Sequence, residues 1–232
     1  MDPKVSTAAA TPSPRSLRAR DKLMHTAERL YAEHGFANVS IRMIREAAGH
    51  RNKSAVQYHF SSRDDLIQAI LTRHATAIER HRWPMVQALD TSGGVSVRDW
   101  ITCVIKPSIE HHIDLGTPSW YGRFLAQAVV EPSLREYATQ VSMDTPSWRR
   151  LQQLRPSRRD SDPASDPASD LAERHGAMVR LLIVHMSAEL ETDLAAGRVP
   201  PSGAETSWRR LGDDLVTAVH GLSSALLETS SP

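Results

Sequence analysis

Cysteine is almost missing from this chain: Cys103 stands alone in 232 residues. A lone thiol forms no internal disulfide, so packing must hold the fold, as suits the reducing cytoplasm expected here. Long apolar runs are missing too, and nothing approaches the ~18 uninterrupted apolar residues of a membrane-crossing helix. Met1 to Pro14 is rich in Ala, Ser, Thr and Pro and has no apolar centre. It reads as a disordered tail, not a secretory signal. No stretch alternates with period two and no Asn-Gly turn joins two apolar runs, which leaves no candidate strand. Gly-x-Ser-x-Gly, a phosphate loop and a dinucleotide fingerprint are all absent, so no cofactor and no enzyme activity are expected.

What is present is ordinary in bulk, 40% hydrophobic and 24% charged. The net charge of +1 hides an uneven distribution. From Arg15 to Arg63 ten basic residues face four acidic ones, giving +6; residues 1–14 cancel, so residues 64–232 carry −5. A basic head on an acidic body is the arrangement expected when one end meets a polyanion.

Helical periodicity runs through the rest. Leu23, Met24, Ala27, Leu30 and Tyr31 share one face of a helix over 17–34 that Gly35 ends. Ser40 caps a short second helix with Ile41, Ile44 and Ala48 on one side, closed by Gly49. A third short helix starts at Asn52 and reaches about His59. Ser62-Arg63-Asp64-Asp65 resembles a capping box that opens a long helix, which Pro84 should kink or end. Ser96 with Asp99 opens the next, where Pro107 is a candidate break. Helical segments follow at about 118–130, 133–143 and 147–155. The tandem Ser-Asp-Pro-Ala of 161–168 lies in an expected mobile loop over about 156–170. Two strong helices close the chain, one from Leu171 towards Gly197 and one carrying Trp208, Leu211, Leu215, Val219, Leu222 and Leu226. The fold class expected is all-α, with a helix-turn-helix head at 15–62 on a larger helical domain at 63–232.

Two short helices joined by a tight turn make a helix-turn-helix, whose second member enters the major groove. Val56 and Phe60 can face the core, leaving Lys53, Ser54, Gln57 and Tyr58 outward. Gln pairs bidentately with adenine, while Lys and Tyr reach base edges or phosphates. Arg42 and Arg63, at the starts of flanking helices, stand where phosphates would lie, and the helix N-termini add to the attraction. Arg51, Asn52 and His59 complete the candidate DNA-binding set.

Three stretches carry a specific likeness. Glu28–Gly35, Ser40–Gly49 with its terminal Ala-Ala-Gly, and Tyr58-His59-Phe60-Ser61-Ser62-Arg63-Asp64-Asp65-Leu66 resemble the DNA-binding head of TetR-family regulators. The likeness covers about fifty residues. His50-Arg51-Asn52-Lys53 makes the turn about one residue longer than the family spacing, which shifts the side chains that reach the groove. The resemblance implies an all-α body with an effector cavity, a homodimer built on the last two helices, and repression of a palindromic operator relieved by an unidentified small molecule. Trp100, Val104, Trp120, Tyr121, Phe124 and Trp148 fall in segments that line that cavity in TetR-like folds, as do Met178 and His185. Arg123 is a further polar candidate. Gly176, Gly221, Met178 and Met186 suit close helix approach between subunits.

Rival readings stay open at this point: a DNA-binding activator, a ligand-free regulator, or a small helical enzyme using His111, Asp114 or Cys103. Adjacent His111 and His112 point about 100° apart on a helix and cannot chelate from one face. His74 and His81 share a stripe, but no carboxylate in sequence completes them.

Overall fold

The computed structural model describes residues 13–49, 59–156 and 167–228. Among them stand nine α-helices and no strand. They are α1 (Pro14–His34), α2 (Ile41–Ala47), α3 (Arg63–Asp90), α4 (Val97–Leu115) and α5 (Tyr121–Ala128). The remainder are α6 (Arg135–Met143), α7 (Pro146–Gln153), α8 (Pro167–Ala195) and α9 (Ala204–Glu228).

Local chemistry sets most boundaries. α1 begins three residues before the periodicity indicates, because Ser13 Oγ accepts from Ser16 N–H at 3.2 Å and Pro14 takes the first helical position, where its missing N–H costs nothing. It stops at Gly35, whose φ of 82° and ψ of 157° are open only to glycine and whose N–H closes on Tyr31 O at 2.9 Å. Ser40 caps α2 through Met43 N–H at 3.3 Å.

Ser62 caps α3 through Asp65 N–H at 3.0 Å. The Asp65 carboxylate closes that box on the residue before the cap, accepting from the N–H and hydroxyl of Ser61 at 2.9 and 3.1 Å. α3 then runs through Pro84 to Asp90, and α4 runs through Pro107 to Leu115; neither proline ends its helix. At 1.5 Å per residue α3 spans roughly 40 Å and links the head to the far end of the body. α8 begins at Pro167, four residues before Leu171, so the expected loop is shorter; its residues 157–166 lie outside the described part.

Buried apolar groups form three clusters. The first joins the head (Leu23, Tyr31, Phe36, Ile44 and Phe60) to the near end of α3 and to Tyr121, Phe124, Leu134, Ala138 and Val184. Packing is therefore continuous across residue 62. The second packs Ile101, Ile105 and Ile109 of α4 on Leu194 of α8 and on Trp208, Leu215, Val216 and Val219 of α9. The third sits at the far end of α3, where Val86, Leu89, Cys103 and Leu151 meet Trp100, Val104 and Trp148.

α5 reaches α8 through a polar device. Glu191 of α8, 1% exposed, accepts from Gly122 N–H (3.1 Å), Arg123 N–H (2.9 Å), Arg123 Nε (3.1 Å) and Ser119 Oγ (2.8 Å). A buried carboxylate thus satisfies the free N–H groups that open α5. Gly122 permits that approach: a β-carbon there would stand 3.2 Å from Ser187 O.

Candidate nucleic-acid interface

The described part of the head presents cations from α1 and α2. α2 presents Arg42, whose side chain is 78% exposed and whose Nε holds Glu46 Oε1 at 2.8 Å. Along the start of α1, Arg15, Arg18 and Lys22 are exposed at i, i+3 and i+7, one stripe of like charge. The Lys22 ammonium stands 3.6 Å from where a Gly49 β-carbon would lie, so this stripe runs onto the C-terminal end of α2. Arg15, Arg18 and Lys22 entered the charge count from sequence but were not singled out; their spacing was the available signal.

Other cations of the head turn inward. Arg20 lies 4.4 Å over the Phe60 ring and donates to His59 O at 3.4 Å. Arg45 is 16% exposed and lies against Glu46. Arg63 donates to Phe36 O at 2.8 Å and spreads over the Tyr31 and Phe36 rings, fixing the start of α3 to the turn after α1. The net charge of the stretch thus overstates what faces solvent. His59 is half-buried beside Phe60. Arg51, Asn52, Lys53, Ser54, Gln57 and Tyr58 lie outside the described residues.

Residues 23–70 match the family model for bacterial regulatory proteins of the tetR family. The head is that of a tetR-family regulator. With it the chain is a DNA-binding transcriptional regulator, and the match takes in the first eight residues of α3, where the body begins. No curated protein matches the chain. Among the described residues no helix is long and apolar enough to cross a membrane.

The tetR-family head is tied to the body by polar contacts from α1. Glu28, 3% exposed, pairs with Arg73 of α3 and holds His74 Nε2 at 3.1 Å. His74 Nδ1 meets His111 Nε2 of α4 at 2.8 Å, and its ring stacks on Tyr121 at 3.9 Å. Gln127 of α5 donates to Tyr31 O at 3.0 Å, and Trp120 Nε1 to Glu33 Oε1 at 3.3 Å. Burial opposes ionisation of Glu28, but the bond and charge of His74 and the charge of Arg73 outweigh it and hold the carboxyl below its usual range. Burial, reinforced by charge at His74, takes His111 down to about 2 and His112 down to about 3. The carboxylates that seemed lacking for His74 and His81 come from other helices: Glu28 for the first, and Asp114 at 2.8 Å for the second.

A cleft of about 590 Å³ opens between α1, α3 and α4, edged by Met24, Glu28, Arg73, His74, Arg80 and Trp120. The residues expected to line one effector pocket fall in separate places. Trp120 edges this cleft; Tyr121 and Phe124 are buried where head meets body. Trp100, Val104 and Trp148 pack in the far cluster, with Trp100 Nε1 on Leu151 O at 2.8 Å. Met178 and His185 are exposed on α8, and Arg123 is committed to Glu191.

Proposed function

We propose that the chain is a homodimeric repressor that holds a palindromic operator with two heads and releases it when a small molecule binds the body. The observation that carries this reading is the coupling of α1 to α3, α4 and α5 through Glu28, Arg73, His74, Trp120 and Gln127. A shift of α3 or α5 moves those partners and therefore the head, so a ligand that prefers one arrangement of the body changes the fit to DNA.

Lys53, Ser54, Gln57 and Tyr58 are the proposed groove-facing set, with Arg42, Arg51, Asn52, His59 and Arg63 flanking it. Arg18 and Lys22 add phosphate contacts along α1. Two heads must reach successive major grooves ~34 Å apart, which requires a two-fold partner. The seam proposed for it is the outer face of α8, where Met178, Leu181 and Met186 are 48%, 36% and 42% exposed, continued by the open sides of Gly176 and Gly221. The buried stripe of α9 is occupied within the chain by α4.

The experiment is selection of bound fragments from genomic DNA, then titration of the recovered operator. Gln57→Ala should relax preference at one base pair, whereas Lys53→Ala should weaken all sequences alike and lower the salt slope by about one. Protein that retains no sequence above random DNA at low salt refutes the reading. Transcription that rises when the operator is occupied assigns activation instead.

A further inference from the structure

We infer that the pocket between α4 and α9 is a binding site for a small uncharged alcohol or phenol, held through a hydrogen bond to His112. The pocket, about 250 Å³, lies between the C-terminal end of α4, the turn after it and the opening of α9. Its rim is exposed and polar, with Thr117 and Glu205. Its inner wall is His112 and Trp208, 2% and 1% exposed, with Ile113 and Ala204 half-buried beside them. Trp208 stacks on the His112 ring at 4.2 Å, and the Tyr121 ring stands 5.3 Å away. Those neighbours give the imidazole ring contacts only. Neither nitrogen of His112 has a hydrogen bond among the described residues, and Nδ1 is buried without a partner.

A buried polar group left unpaired costs free energy, and folds pair nearly all of them. Burial keeps His112 neutral, drawing its value down to about 3, so the ring offers one N–H and one acceptor nitrogen in either tautomer. A hydroxyl serves either one. A lone water fits poorly, since it needs about two to four polar partners and the inner wall supplies one side chain of that kind. The volume falls just below the ~300–1,000 Å³ of drug-sized sites, which suits a single small ring. No free charge awaits the ligand: His112 is neutral, and the Glu205 carboxylate is held by Arg209 at 3.0 Å, which also takes Glu110 at 2.8 Å. An ionic ligand would leave water for a place with no counter-charge of its own. The pocket also adjoins the link to the head. His111, next along α4, meets His74 at 2.8 Å, and His74 holds Glu28 of α1. A ligand that moves the end of α4 therefore moves that link.

The site stands apart from the regulatory reading; only its effect on DNA rests on that reading. Calorimetric titration of the full chain at neutral pH compares phenol with toluene, which has the shape but no hydroxyl, and with benzoate and benzylamine. Phenol should bind at a single site per chain, on the order of tenfold or more tighter than toluene, and the two ions should not displace it. His112→Phe, which keeps the Trp208 stack, should abolish the preference for phenol over toluene. Ala204→Leu, which fills the pocket from α9 and leaves His112 in place, should weaken both compounds by roughly tenfold or more. Equal binding of phenol and toluene, a preference for phenol that survives His112→Phe, or an Ala204→Leu variant that binds like the wild type overturns the proposal. Tighter binding of benzoate or benzylamine, or no saturable binding of phenol, overturns it as well. Operator titration is scored separately: protein that binds phenol but no DNA loses the regulatory reading and keeps the site, and phenol that binds without altering operator affinity keeps the site and removes it from regulation.

Discussion

Acid should weaken this protein well before its carboxylates titrate, because two imidazoles are buried neutral in its centre. His111 and His112 are 5% and 2% exposed, with values drawn down to about 2 and about 3. In the unfolded chain both return to about 6.5 and take up protons below that pH. The folded state cannot follow, so stability present above pH ~6.5 is lost as pH falls, at about 1.4 kcal/mol per unit for each ring. Between pH 7.5 and 5.5 each ring costs a little over 1 kcal/mol, roughly 3 kcal/mol for the pair, whatever the exact folded value. Glu28 adds nothing in that window: its depressed value protects the fold until pH falls below the ordinary carboxylate range. The variant that isolates the effect is His112→Phe. His112 stacks flat on Trp208 at 4.2 Å and its Nδ1 has no partner, so a phenyl ring keeps the stack and removes the protonation site. Urea unfolding at both pH values, read by far-ultraviolet circular dichroism at fixed protein concentration, should show about half the wild-type fall in the variant. Wild-type stability equal at the two pH values, or a variant that keeps the whole fall, would refute the reasoning.

Charge reversal of the α1 stripe, Arg18→Glu with Lys22→Glu, should leave the melting temperature within a few degrees and weaken binding to any duplex; anisotropy titrations across salt check it, and an unchanged salt slope removes the stripe from the interface. Glu191→Gln should destabilise the fold by about 3 kcal/mol, because the α5 N–H groups and Arg123 lose their buried carboxylate; a urea midpoint like that of the wild type contradicts this account of α5. Gly35→Ala should cost about 1–3 kcal/mol, since alanine cannot take the conformation that turns α1 into the head, and unchanged calorimetric stability would show that the turn relaxes freely.

The head was largely legible because its determinants are local. Ser40, Ser62 and Gly35 act on neighbours in sequence, and the apolar stripe of Leu23, Ala27, Leu30 and Tyr31 reads the same before and after folding. Boundaries slipped where a capping signal was passed over, as at Ser13-Pro14, or where a proline was given too much weight, as at Pro84 and Pro107. The body resisted for the opposite reason. Glu28 meets His74 across 46 positions, and Ser119 meets Glu191 across 72. No local pattern marks either pair.

By itself the sequence determined an all-helical chain with a basic, tetR-type head, since caps, glycines and helical periodicity are written in short windows. Only tertiary packing decided which cations face outward, where each expected pocket residue sits, and which charges are buried. Arg63 and Arg82 look alike in sequence, both arginines in one long helix, and packing alone made one a fixed brace on Phe36 O and set the other against the Trp148 ring. Desolvation depends on what surrounds a side chain in space, and residues far apart along the chain supply those surroundings.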